Sequence, residues 1–215
     1  MRFNRHDLVF AHGRDIALQG LGGGPFHDLI TAGQIPGIVR REESALHRGD
    51  PWYDANEEVY VGFVYPYKED GHRIRYASSV HGSRITRTIR PYEVPHMSYE
   101  RRTRPLLALS EFSASYPLGV WGSAALEAVT GLAYTDDMSD LDLIVRGYGR
   151  DELGELAHTT RAFEETFSIR IDVEVELTSG FAINLKEFVG DGPHVLAKGI
   201  NGVELLERGL AEECL

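Results

Sequence analysis

The sequence predicts an α+β protein, with a β-rich N-terminal domain over residues 1–105 and a mixed α/β domain over residues 106–215. Before residue 90, the apolar runs are rich in β-branched and aromatic residues and are separated by turn residues, a pattern typical of strands. After residue 106, strand-like and helix-like runs alternate, which indicates a mixed α/β unit. Prolines punctuate residues 91–105, so we expect that segment to link the two domains.

The clearest element of the first domain is a β-hairpin. The runs E-V-Y-V-G-F-V-Y at 58–65 and R-I-R-Y-A-S-S-V at 73–80 flank Asp70-Gly71, a pair that favours a tight turn. A further strand is expected at 35–41. The glycine cluster at 19–25 is predicted to be a loop, because it has neither P-loop spacing nor a strand–GxGxxG–helix setting.

The second domain is predicted to begin with a helix at 106–116. Periodicity and capping residues then predict alternating strands and helices: strand 118–121, helix 123–130 closed by Gly131, strand 141–145, helix 151–167, strand 169–177 and, through a turn at Ser179-Gly180, a strand at 181–184.

The charge distribution restricts the class of partner. The formal net charge of −11 argues against DNA or RNA, which are bound through surplus lysine and arginine. Residues 73–104 nevertheless carry eight arginines and two acids, whereas residues 136–215 carry 18 acids and 7 lysines or arginines. The basic segment is either a solubilising surface or a landing surface for a phosphate-rich ligand or an acidic partner.

Cysteine use and hydropathy indicate the compartment. Cys214 is the only cysteine and no run of eighteen apolar residues occurs, so neither a disulfide framework nor a membrane span is expected. The first ten residues do not resemble a secretory signal. We expect a cytoplasmic protein with no membrane partner.

Two aspartates next to apolar residues carry the main chemical signal. In D-L-D-L, Asp140 and Asp142 are two residues apart, so on a strand they point to one face while the leucines point to the other. Neighbouring carboxylates repel unless a cation lies between them. The pattern therefore predicts a site for a hard divalent ion, Mg²⁺ or Mn²⁺.

Two further features complete that candidate site. Gly122-Ser123 opens a predicted helix, with Ser123 expected as its N-cap and its free N–H groups suited to a phosphate. In R-I-D-V-E-V-E-L, Asp172, Glu174 and Glu176 share a face, and Asp172 is the expected third metal ligand and base. The alternative, a solvated acidic face, suits Glu174 and Glu176 better. The combination predicts phosphoryl or nucleotidyl transfer.

The same motifs resemble a known family. G-S, then T-G-L-A-Y, then S-D-L-D-L-I-V are similar to the nucleotidyltransferase superfamily with a polymerase-β-like palm. More narrowly, the chain resembles the malonate decarboxylase holo-acyl-carrier-protein synthases, the phosphoribosyl-dephospho-CoA transferases. That likeness extends to R-H-D-L at 5–8, V-R-R at 39–41, R-I-D at 170–172, A-I-N at 182–184 and residues 195–206. Trp121 stands where the family commonly has tyrosine.

The resemblance implies a reaction. The donor would be 2′-(5″-triphosphoribosyl)-3′-dephospho-CoA, the acceptor a serine of the apo acyl carrier subunit of malonate decarboxylase, and the leaving group pyrophosphate. Asp140 and Asp142 match the family's metal-binding aspartates, Gly122-Ser123 its phosphate loop, and Asp172 the superfamily's third acid.

Other basic residues are weaker candidates for the same site. Lys198 is expected to hold a phosphate or to be an ordinary surface lysine, and at most one of Arg40 and Arg41 can face the site. An acidic carrier would need the arginine-rich segment, including Arg84, Arg87 and Arg90, for complementarity. Two alternatives stay open: a nucleotidyltransferase that uses an NTP donor on a small molecule, a protein or a tRNA end, and a degenerate, non-catalytic nucleotide- or partner-binding module.

Overall fold

The computed structural model describes residues 1–42 and 49–215. It contains helices together with two large, mainly separate sheets, which confirms the α+β class. Strands from the first half of the chain form one sheet and strands from the second half form the other. A single apolar core includes side chains from both halves, and the domain boundary at residue 105 stays a prediction.

The first half of the chain forms a five-stranded antiparallel sheet and a small two-stranded one. Its strands are β1 (Arg2–Phe3), β2 (Leu8–Ala11), β3 (Gly37–Val39), β4 (Tyr53–Asp54), β5 (Glu58–Glu69), β6 (His72–His81) and β7 (Ile85–Ile89). The large sheet has the order β6-β5-β3-β2-β7, and β1 pairs with β4. The predicted hairpin is β5–β6, and its turn residues Asp70 and Gly71 both have positive φ.

The glycine cluster leads into a short helix, α1 (Pro25–Thr31). Within residues 19–24 the chain has no helix or strand, as predicted for a loop. The strand expected at 35–41 is shorter than predicted and covers only Gly37–Val39.

The second half of the chain forms a six-stranded mixed sheet. Its strands are β8 (Gly119–Trp121), β9 (Leu141–Arg146), β10 (Ile171–Glu176), β11 (Ala182–Asn184), β12 (His194–Lys198) and β13 (Val203–Glu207), in the order β13-β12-β11-β10-β9-β8. Only β9 and β10 run parallel, and β10–β11 is the predicted second hairpin. The helices are α2 (Arg104–Ser115), α3 (Gly122–Thr130), α4 (Arg150–Phe167), α5 (Leu185–Val189) and α6 (Arg208–Glu213).

Alternation along β9 and β10 gives their sheet two chemically different faces. The side chains of Leu141 and Leu143 are fully buried on the side where α2 and α4 pack. Asp142 and Asp172 lie on the other face, because successive side chains of a strand point to opposite sides. That face meets residues of the first half of the chain, as the ion pair between Arg5 and Glu174 shows.

The segment that joins the two sheets is structured. Residues Pro91–His96 form a 3₁₀ helix whose Pro91 and Val94 are buried and which packs against β8. The proline-rich sequence therefore gives a packed connection, because proline fixes φ without preventing a 3₁₀ turn. Within the described ranges, no helix combines the length and apolarity needed to cross a bilayer.

Candidate active site

A cleft of about 930 Å³ lies between the two sheets and is lined by five of the predicted site residues, but not by Asp172. One wall comes from β8, α3 and the start of β9, and includes Gly122, Ser123, Asp140 and Asp142. The other comes from the β5–β6 hairpin and residues next to β3. Acidic and basic side chains thus face each other across one opening.

Gly122 makes the turn from strand to helix that shapes the acidic wall. Its φ of +69° is a left-handed value that favours glycine. This turn starts α3 at Gly122 itself, with Trp121 at the N-cap position and no side-chain cap. The prediction that Ser123 is the N-cap is therefore wrong: Ser123 is already inside the helix, although it lines the cleft.

Two of the predicted carboxylates lie on neighbouring strands, and the third directly precedes one of these strands. Asp142 of β9 lies directly opposite Asp172 of the parallel strand β10 and opposite Trp121 of β8. Asp140 immediately precedes β9. Nη2 of Arg170 connects the group, 2.9 Å from Oδ2 of Asp140 and 3.1 Å from Oδ2 of Asp172.

The electrostatics of this group are unfavourable for Asp142. Burial, followed by the nearby charges of Asp172, Asp140 and Glu174, raises the pKa of Asp142 to about 7, and Arg170 offsets only part of this. Asp172 is further held by the Asn184 amide, whose Nδ2 donates to its Oδ1 at 3.2 Å. Arg170 supplies one positive charge against the carboxylates of Asp140, Asp142 and Asp172, so negative charge remains uncompensated.

The donor set fits a hard divalent cation. Carboxylate oxygens are the ligands that Mg²⁺ and Mn²⁺ prefer, and a cation would relieve the repulsion that raises the pKa of Asp142. In the described part of the chain, no group of three or more Asp, Glu, His or Cys side chains is arranged so that it could hold a metal ion. Arg170, which is 63% exposed, bridges Asp140 and Asp172, so a cation shared by those two carboxylates would displace it.

The opposite wall carries the positive charge. Cleft residues from this side include Arg40, Lys68, His72, Arg73 and Arg75. Lys68 pairs with Asp136 at 2.6 Å, and Arg73 donates to the backbone carbonyl of Tyr134. These bonds tie the β5–β6 hairpin to the loop before β9, so this wall is anchored to the acidic wall.

Sequence reasoning missed a buried cluster beside the cleft. Arg5 makes two hydrogen bonds to Glu174, at 2.7 and 2.9 Å, and Nε2 of His6 lies 3.1 Å from the same carboxylate. The His6 ring stacks on Trp121 at 4.0 Å. The solvated-face interpretation of Glu174 is therefore wrong, because Glu174 is buried and ion-paired.

Opposite effects fix the protonation states of His6 and Glu174 in this cluster. Burial lowers the pKa of His6 to about 4, so the ring is neutral at pH 7 and its Nε2 carries the proton that it donates to Glu174. Burial raises the pKa of Glu174, but the hydrogen bonds from His6 and Arg5 outweigh it and lower the pKa to about 2. The R-H-D-L motif could have pointed to this cluster, but a partner 168 residues away leaves no local signal.

The remaining predicted site residues do not all lie at the cleft. Arg40 lines the cleft and also, together with Arg41, a pocket beside Tyr60 and Tyr76. Arg41 is not among the cleft-lining residues. Lys198 lies at the end of β12 and lines a second cavity, not the cleft. Lys198 therefore does not join the carboxylate site.

Five of the eight arginines of the arginine-rich segment lie at two edges of the first large sheet. Arg73 and Arg75 are on β6 and line the cleft. Arg87 is exposed on β7, the opposite edge strand, with Arg84 and Arg90 just outside its two ends. One sequence feature thus supplies a cleft wall and a separate exposed basic edge.

Comparison with known proteins gives a consistent result. The family model described as "Phosphoribosyl-dephospho-CoA transferase MdcG C-terminal domain" matches residues 94–209. A protein named phosphoribosyl-dephospho-CoA transferase from Xanthomonas campestris pv. campestris (strain 8004) is 29% identical over 211 residues, covering 95% of this chain and 94% of its own. A protein of the same name from Pseudomonas syringae pv. tomato is 30% identical over 203 residues, covering 87% and 85% of the two chains.

A third relative matches more narrowly. The phosphoribosyl-dephospho-CoA transferase from Pseudomonas aeruginosa is 36% identical over 92 residues, 41% of each chain. No solved structure matches the chain significantly.

Proposed function

The chain belongs to the phosphoribosyl-dephospho-CoA transferase family of enzymes, and we propose that its six-stranded sheet is a polymerase-β-like palm that modifies a carrier protein. The donor is 2′-(5″-triphosphoribosyl)-3′-dephospho-CoA, and the acceptor is a serine of the apo acyl carrier subunit of malonate decarboxylase. The observation that carries the proposal is the in-register pair Asp142 and Asp172, with Asp140 and Asp142 lining a cleft whose other wall is basic.

The proposed step is a phosphoryl substitution. The serine oxygen attacks the phosphorus bound to the 5″ oxygen of the donor, the bond from that phosphorus to the bridging oxygen breaks, and pyrophosphate leaves with the electron pair. The serine proton passes to the Asp172 carboxylate, which Asn184 orients through the 3.2 Å hydrogen bond to Oδ1. One P–O bond forms to the serine oxygen, one P–O bond breaks to the pyrophosphate oxygen, and the Asp172 carboxylate accepts the proton, so the step is balanced.

Asp140, Asp142 and Asp172 would hold the divalent cation, Mg²⁺ or Mn²⁺, which when bound neutralises charge on the phosphates and lowers the pKa of the acceptor hydroxyl. Gly122 leaves room beside Asp142, since it has no side chain, and the start of α3 presents backbone N–H groups to a phosphate. Arg40, Arg73 and Arg75, which line the opposite wall, would stabilise the charge that develops on the leaving pyrophosphate.

Intact mass measurement tests this function. The wild-type chain, a divalent cation, the donor and apo carrier should give a carrier heavier by one phosphoribosyl-dephospho-CoA group, with one pyrophosphate released per carrier. Asp140→Asn and Asp142→Asn should fold normally and give no mass increase. A labelled product from ATP and a small molecule would establish the alternative nucleotidyltransferase, and no transfer from either donor would indicate a non-catalytic module.

A further inference from the structure

A second cavity, of about 590 Å³, lies beside the cleft on the same face of the six-stranded sheet. Ile144 and Arg146 of β9 line it, and they follow Asp142 on alternate positions of one strand. At ~3.3 Å per residue, their backbone positions are about 7 and 13 Å from that of Asp142. His6 lines both the cleft and the second cavity, so the two openings are neighbours.

The side chains of the second cavity carry a surplus of positive charge. Arg5, Arg146 and Lys198 line it together with one acid, Glu176. Arg5 is committed to Glu174, which leaves two cations against Glu176. Among the described residues, no carboxylate lies within 4.0 Å of the charged nitrogens of Arg146 or Lys198. In a chain of net charge −11, two such cations at one opening favour an anionic ligand.

The same cavity offers an aromatic surface. Trp52, Pro51 and Leu177 line it beside the cations. The guanidinium of Arg2 lies 4.0 Å from the centre of the Trp52 ring and holds that ring in place through a cation–π contact. Arg146 also stacks on Tyr92, with its guanidinium 4.3 Å from the ring centre. An aromatic side chain next to cations that have no carboxylate in contact is the combination that binds a base and its phosphates.

We propose that the second cavity binds the dephospho-CoA part of the donor, with the adenine against Trp52 and the diphosphate at Lys198 and Arg146. This inference rests on the proposed function for the identity of the donor. In that donor the triphosphoribosyl group is attached to the 2′ oxygen of the adenosine, so one ribose separates the adenosine from the reacting phosphate. The spacing of about 7 to 13 Å between Asp142 and the two cavity residues on β9 suits that separation.

Binding of dephospho-CoA to two lysine variants tests the inference. Dephospho-CoA lacks the reacting phosphates, so it probes the second cavity. Lys198→Gln should weaken dephospho-CoA binding about tenfold in calorimetry. Lys68→Gln, the same substitution on a lysine that lines the cleft, should leave dephospho-CoA binding unchanged. Trp52→Ala should weaken dephospho-CoA binding in the same way as Lys198→Gln.

Each outcome decides the inference separately from the proposed function. Equal dephospho-CoA affinity in wild type and Lys198→Gln, equal weakening by Lys198→Gln and Lys68→Gln, or no dephospho-CoA binding at all overturns it. If wild type transfers the group but Lys198→Gln has an unchanged KM for the donor, the inference fails and the proposed function stands. If no transfer occurs but dephospho-CoA binding still depends on Lys198, the second cavity stands and the transferase proposal fails.

Discussion

Gly122 and Asp142 lie so close that a Cβ atom on the glycine would collide with Oδ2 of the aspartate. Gly122 also has a left-handed φ of +69°, which costs about 1–2 kcal/mol for other residues. Gly122→Ala should therefore displace the Asp142 carboxylate and lower transfer at least a hundredfold. The measurement is the rate of carrier modification by intact mass.

A glycine at the other end of α3 provides the matched control. Gly131 has nearly the same φ, +71°, with no atom near enough to meet an added Cβ. Gly131→Ala should show a similar loss in the free energy of unfolding, about 1–2 kcal/mol, with transfer near wild type. Equal loss of transfer in both variants would show that backbone strain, not the contact with Asp142, is responsible.

In the proposed cation site Arg170 would compete with the ion for the carboxylates, since its Nη2 contacts both Asp140 and Asp172. Arg170→Gln removes that charge and should tighten divalent cation binding about three- to tenfold, measured by calorimetry without donor. Arg161→Gln, on the exposed surface of α4, is the control for a change in net charge. If both variants tighten binding equally, Arg170 has no specific effect.

Asp7 should make stability depend on pH. Burial raises its pKa to about 7 from 3.8, so the folded state holds a proton that the unfolded state releases. The stabilisation is complete below about pH 4 and is lost as the pH rises through 7. Asp7→Asn keeps an acceptor for the Asn4 N–H, which donates at 2.8 Å, and should be more stable than wild type at pH 8 by up to about 4 kcal/mol.

Urea unfolding at pH 5 and pH 8 with EDTA measures this difference. The free energy of unfolding of wild type should fall between the two pH values more than that of Asp7→Asn. Parallel behaviour of the two proteins would mean that Asp7 ionises normally in the folded state.

The exposed basic edge formed by Arg84, Arg87 and Arg90 should attract an acidic carrier. Changing all three to glutamate should weaken carrier binding at least tenfold at low salt and flatten its salt dependence. Donor affinity should be unchanged, because these arginines lie on and beside β7, at the sheet edge opposite to the cleft-lining β6. Unchanged carrier affinity would show that the carrier docks on a different surface.

The local parts of the fold and site could be predicted from the sequence. The β5–β6 hairpin follows from alternating residues and Asp70-Gly71, and the shared face of Asp142 and Asp172 follows from strand periodicity and pairing. The start of α3 could not be predicted in detail, because Ser123 is a good N-cap by type but Gly122 turns the chain one residue earlier.

The non-local parts required the structure. In the sequence, Glu174 looks like one of several solvent-exposed acids on the outer face of a strand. Only the fold brings Arg5 and His6 into contact with it. The arginines of one segment reach opposite sheet edges because β6 and β7 are adjacent in sequence but separated by three strands in the sheet. Lys198 is placed in the second cavity by the order of β10, β11 and β12, which residue spacing does not reveal.

Calorimetric titration with Mg²⁺ or Mn²⁺, in the presence of donor and without carrier, tests most directly whether Asp140, Asp142 and Asp172 form a cation site. Wild type should bind the cation saturably, and Asp142→Asn should bind it at least tenfold more weakly while melting at the same or a higher temperature in EDTA. Absence of saturable binding to wild type, or equal affinity in Asp142→Asn, would contradict the account.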